Sequence, residues 1–150
     1  MTLDIVIFGL SITSSWANGH ATTYRALTKA LERRGHRVTF LERDVPWYRQ
    51  HRDLPSPPYC RTELYAELKD VPVRHQKLVC EADLVILGSY VPNGSVLADW
   101  ITTHARGVTA FYDIDTPVTL ARVRSGKADY ICKTTIPKYD LYLSFTGGPT

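Results

Sequence analysis

Residues 4–36, DIVIFGLSITSSWANGHATTYRALTKALERRGH, decide how the rest of the chain is read. Residues 5–8 are an unbroken apolar run rich in β-branched side chains. With no alternation, the run predicts a strand buried on both faces, as at the centre of a parallel sheet. Gly9 ends it. Residues 10–18 form a loop rich in serine and threonine, and Asn18-Gly19 supplies a helix start. His20, Tyr24, Leu27 and Leu31 then fall on one helical face, opposite Arg25, Lys29, Glu32 and Arg33. Gly35 is placed to cap the helix, and residues 37–42 (RVTFLE) read as a second strand. Together these make one right-handed βαβ unit.

The pattern continues outward from that unit. Residues 43–60 carry Pro46, Pro55, Pro57 and Pro58 and read as a long ordered loop with at most a short helix. Helical patterns follow at 62–68, 73–82, 94–106 and 118–123. Further strands are predicted at 84–88 (LVILG), 108–112 (VTAFY) and 140–145 (DLYLSF). Alternating strands and helices imply an α/β fold: a Rossmann-like three-layer sandwich with a mainly parallel, five-stranded sheet in the order 3-2-1-4-5. The chain of 150 residues reads as a single domain, 1–150.

Composition excludes several classes. The net charge of +3 is mild and its basic residues are scattered, as in Glu42-Arg43-Asp44. That disfavours nucleic acid as a partner and leaves anionic small molecules open. Three cysteines, Cys60, Cys80 and Cys132, form no CxxC pair, which argues against a disulfide framework and a zinc site. No metal is expected. A reduced, cytoplasmic location is the simplest expectation. Asp4 interrupts any signal-peptide pattern, and no apolar stretch reaches transmembrane length.

In open parallel sheets, ligands bind beyond the carboxyl ends of the strands where the strand order reverses. The first loop (Gly9, Ser11, Thr13, Ser14, Ser15, Asn18, Gly19) is therefore a candidate wall. Its hydroxyls can bind phosphate or sugar, or can simply satisfy loop backbone. His20, in the first helical turn, is a candidate general base, since a helix N-terminus disfavours imidazolium. The alternative is a histidine that only packs. Asp113 and Asp115 follow the strand at 108–112. If that strand neighbours the first, either carboxylate can orient His20. Equally, Asp115 or Thr116 can cap the next helix, with Pro117 in its first turn. Trp47, Tyr48 and Tyr90 can stack on a sugar or cover the sheet. The GxGxxG and GxxxxGK[ST] fingerprints are both absent, which weakens a nicotinamide cofactor reading. Glu42 stands where a ribose-binding acid would stand, but without the glycines pairing with Arg43 or a neighbour is the favoured reading.

The runs FGLSITSSWANGHATTYRALTKALERRGHRVTFLERDVPWY, LVILGSYVPNG, FYDIDTPVTL and DLYLSFTGG resemble the N-terminal half of bacterial glycosyltransferases of the CgeB-like, spore-maturation type. The resemblance spans essentially the whole chain. It implies one half of a two-domain GT-B architecture: this domain faces the acceptor, and a second domain, absent from this chain, binds the nucleotide-sugar donor. By resemblance, His20 matches the base position of inverting members and Asp113 the aspartate that supports it. Asp113-Ile114-Asp115 also looks like the DxD metal motif of a different glycosyltransferase fold; the GT-B resemblance implies no metal and no cofactor beyond the donor substrate. The chain alone is expected to bind a nucleotide sugar weakly and to transfer nothing. Alternatives are a non-catalytic nucleotide- or sugar-binding module and, less favoured, an NAD-dependent oxidoreductase.

Overall fold

Asp4–Phe8 (β1) does lie at the middle of a sheet. The computed structural model describes residues 1–146. Residues 147–150, read from sequence as the glycine-rich close of the chain, lie outside the described residues. Strand β1 pairs in parallel with Arg37–Arg43 (β2) on one side and with Leu84–Gly88 (β4) on the other. Residues Ile5, Val6, Ile7 and Phe8 are all buried because each face of the strand meets its own layer. Ile5 and Ile7 pack with Tyr24 of His20–Arg33 (α1) and with Phe40. Val6 and Phe8 pack toward the side covered by Asp70–Glu81 (α3) and Gly94–His104 (α4). The strand period of two thus divides one apolar run between two cores.

The sheet has six strands, all parallel, in the order β3-β2-β1-β4-β5-β6. The added strand is Arg61–Tyr65 (β3), where the sequence pattern predicts a helix over 62–68. TELYAEL is rich in helix formers, yet pairing of residues 61–65 with residues 39–43 of β2 wins. This corrects both the strand count and the topology. Strand β3 takes the outer place beside β2 that was predicted for residues 84–88, and β4 sits against β1 instead. Val108–Asp113 (β5) is then one strand further out, and Leu141–Ser144 (β6) forms the edge.

Helix α1 ends in a left-handed Gly35 at φ 84°. Its N–H donates to the Glu32 carbonyl at 2.8 Å, and the His36 N–H donates to the Leu31 carbonyl at 3.1 Å. This reciprocal pair terminates the helix where the sequence places the stop. Pro46–Arg49 (α2) is the short helix inside the proline-rich segment. Thr116–Arg124 (α5) follows β5, and a single 3-10 turn, Ile136–Lys138, precedes β6. Among the described residues, no helix is long and apolar enough to cross a membrane.

Candidate functional site

The strand order reverses between β1 and β4, so the loops leaving these two strands define the crevice expected of this fold. The first loop is held from below. Glu42, fully buried at the end of β2, accepts hydrogen bonds at Oε2 from the Ile12 and Thr13 N–H groups, at 2.8 and 3.0 Å, and at Oε1 from the Thr13 hydroxyl at 2.7 Å. Its partner is the loop, not Arg43. A ribose-binding role for this carboxylate is thereby closed off, because the loop already occupies it.

The remaining loop hydroxyls are also engaged. Ser11 Oγ donates to the Ser14 carbonyl at 3.0 Å, and Ser14 Oγ donates to the His51 carbonyl at 2.8 Å. Ser15 donates through N–H and Oγ to Asp53, which Arg25 grips at 2.9 and 3.0 Å. Arg25 holds the Asp53 carboxyl well below the usual range, aided by the Ser15 bonds and opposed by partial desolvation. Asn18 Oδ1 accepts from the Ala21 N–H at 3.1 Å and so caps α1, next to the exposed Gly19. Ser11, Thr13, Ser14, Ser15 and Asn18 therefore build a saturated wall. Sequence inspection missed Asp53 and Arg25, which lie far apart in the chain and carry no motif.

Gly9 and Gly88 lie at the carboxyl ends of β1 and β4, under the crevice. A Cβ on Gly9 would strike Phe40 and Tyr24; a Cβ on Gly88 would strike the Tyr24 hydroxyl. Gly9 is thus required by the close approach of two buried rings. The Tyr24 hydroxyl itself is buried without a hydrogen-bond partner among the described residues, and burial drives its pKa far above the ordinary phenol value.

The opposite wall is the loop after β4. Tyr90 has φ 66° and Asn93 has φ 56°, both left-handed. For a bulky aromatic this conformation costs roughly 1–3 kcal/mol and persists only where surroundings impose it. Those surroundings are explicit. Tyr90 stacks on Tyr130 at 5.0 Å between ring centroids, and the Arg122 guanidinium lies 4.9 Å over its ring. Its hydroxyl donates to Asp115 Oδ2 at 3.4 Å, and burial, with Tyr130 and Asp115, pushes its pKa up to about 12. Asn93 is pinned by its N–H to Asp129 at 2.7 Å and by Arg43, which donates to Asn93 Oδ1 at 2.9 Å.

His20 completes the crevice. Its ring meets the Tyr90 ring edge-on at 5.2 Å. Nδ1 is buried with no hydrogen-bond partner among the described residues. Desolvation lowers the imidazole pKa, and the Asp115 carboxylate partly opposes that shift. The two aspartates divide their work. Asp113 accepts at Oδ1 from the Thr119 hydroxyl at 2.8 Å and from the Asp115 N–H at 3.2 Å, organising the start of α5. Asp115 is the carboxylate whose charge reaches His20 and whose Oδ2 meets Tyr90. Strand β5 does not neighbour β1, contrary to the expected order, yet the Asp115 charge still reaches His20.

Tyr48 is 7% exposed and packs inward, whereas Trp47 is 51% exposed. Trp16, 46% exposed and stacked on His51 at 4.5 Å, is a second aromatic rim that sequence inspection passed over. An aromatic residue inside a serine-rich loop was its only signal. No three His, Cys, Asp or Glu side chains converge to hold a metal among the described residues.

No family model matches the chain, and no curated protein matches its sequence. Among solved structures, it is similar to the C-terminal domain of the coenzyme A biosynthesis bifunctional protein CoaBC, at 11% identity with a TM-score of 0.48, over 84% of this chain and 74% of that one. It is also similar to a protein of unknown function, VPA0982 from Vibrio parahaemolyticus RIMD 2210633, at 12% identity with a TM-score of 0.45, over 96% and 93%. Neither likeness bears on activity. The sheet itself defines the class: an all-parallel, Rossmann-like α/β domain with helices on both faces.

Proposed function

We propose that the crevice between the first loop and the loop after β4 is the acceptor side of a sugar-transfer site, and that the domain works with a nucleotide-sugar donor. The observation that carries this reading is His20: a desolvated imidazole with lowered pKa, its Nδ1 without a hydrogen-bond partner among the described residues, at the point of strand reversal. Such a ring is neutral at pH 7, the form a general base needs to take a proton from an acceptor hydroxyl. Asp115 then stabilises the imidazolium that forms. Asp113 contributes by fixing the backbone that presents Asp115. Trp47 and Trp16 offer exposed aromatic faces to a sugar or an aromatic acceptor.

The test is sugar release from a nucleotide sugar by an enzyme that joins this domain to a donor-binding domain. His20→Ala lowers turnover roughly a hundredfold or more if the ring is the base. An unchanged rate rejects that role. The isolated chain shows no turnover on this account, and comparable turnover by it contradicts the division of labour.

The saturated first loop supports a second reading, a non-catalytic module that holds a nucleotide or sugar through residues 89–93. It predicts that ligand binding survives His20→Ala. A nicotinamide-dependent reading loses support, since Glu42 is committed to the loop.

A further inference from the structure

A separate groove of about 370 Å³ opens between the edge strand β6, helix α5 and the 3-10 turn. Its apolar wall is Leu120, Val123, Ile131, Ile136, Tyr142 and Leu143. Four of these, Leu120, Ile136, Tyr142 and Leu143, are unusually exposed for their size. At the floor lies Asp113, only 6% exposed. Both of its carboxylate hydrogen bonds fall on Oδ1. Among the described residues, no Lys, Arg or His forms an ion pair with it, and Oδ2 accepts no hydrogen bond. Burial pushes the Asp113 carboxyl above the ordinary carboxylate range, opposed by the bonds from the Thr119 hydroxyl and the Asp115 N–H and by the nearby Thr116 hydroxyl, which also shares a 2.7 Å bond with Ser144 Oγ.

A carboxylate buried beside apolar side chains is unfavourable unless a donor or cation meets it. Here the protein supplies donors to one oxygen and leaves the other lining an open apolar groove. The complementary occupant has an apolar body and a single cationic donor. We propose that this groove binds a small primary or secondary amine, its ammonium on Asp113 Oδ2 and its hydrocarbon part between α5 and β6. The volume suits a molecule of about one ring, at the lower end of small-molecule sites. Asp113 is shared with the His20 crevice through Oδ1, which holds the Asp115 N–H, but the groove itself opens on the other side and amine binding does not depend on the sugar-transfer reading.

The test uses the whole chain and two probes of similar size and opposite charge, benzylamine and phenylacetate, followed by backbone amide shifts. Benzylamine gives saturable shifts at residues 116–120 and 142–144; phenylacetate at the same concentration does not. Asp113→Asn weakens benzylamine roughly tenfold or more, the loss of one charge-assisted bond. Because Asp113→Asn also disturbs the start of α5, Leu120→Trp serves as a second variant that fills the groove and leaves Asp113 intact. It abolishes the response without altering shifts elsewhere. No saturable response, equal response to both probes, or a benzylamine response that survives Leu120→Trp overturns the proposal.

Discussion

The Tyr24 hydroxyl is the clearest single-residue tension in the molecule. It is buried, it lacks a partner among the described residues, and two glycines are needed to make room for its ring and hydroxyl. An unsatisfied buried hydroxyl costs more than its removal. Tyr24→Phe is therefore neutral or stabilises the fold by up to about 1 kcal/mol. Gly88→Ala, whose new methyl would collide with that hydroxyl, destabilises by roughly 1–3 kcal/mol. Combining it with Tyr24→Phe recovers part of the loss, because the colliding atom is gone. Urea unfolding of the three variants checks this. A Tyr24→Phe loss well beyond 1 kcal/mol contradicts the account of an unpartnered hydroxyl.

At the scale of elements, the first loop and β2 act as one unit. Glu42 satisfies two backbone N–H groups and a hydroxyl that would otherwise be stranded in the interior. Glu42→Ala leaves them without a partner and costs roughly 2–4 kcal/mol. Amide exchange at Ile12 and Thr13 accelerates with it; protection unchanged from the parent contradicts the clasp. The misplaced helix belongs to this scale too. Residues 61–65 carry helix-forming glutamate and leucine, but β2 presents an open edge, and a parallel ladder outweighs a weak local preference. No local pattern reveals that edge, since the partner strand lies some twenty residues upstream. Helix α1 was legible because each signal was local: the spacing of Tyr24, Leu27 and Leu31, the Asn18 cap and the positive φ of Gly35.

For the whole molecule, sequence patterning specified a parallel α/β sheet with the crevice at its carboxyl edge, and His20 within that crevice. The pairing of His20 with an aspartate was only half legible. The DID motif marked the segment but not which of its two carboxylates faces His20, and the strand it follows is not the neighbour of β1 that the sequence predicts. Tyr90 was visible as an aromatic near a strand end. Its left-handed backbone and its position among His20, Arg122, Asp115 and Tyr130 arise from four separate segments, so no window of sequence could show them.

A neutral, desolvated His20 facing the crevice is tested most directly by its own titration. Burial lowers the folded-state pKa below the ordinary 6.5. The unfolded chain then takes up the proton first, so this group supports folding above pH 6.5 and loses that support as pH falls through the folded-state value. Followed by the imidazole proton resonances, the midpoint lies below 6.5 in the free chain and moves upward when a nucleotide sugar is added, because its diphosphate charge favours imidazolium. An uncharged free sugar, which lacks the diphosphate, leaves the midpoint unchanged. A midpoint at or above 6.5 that no nucleotide sugar moves would contradict the account.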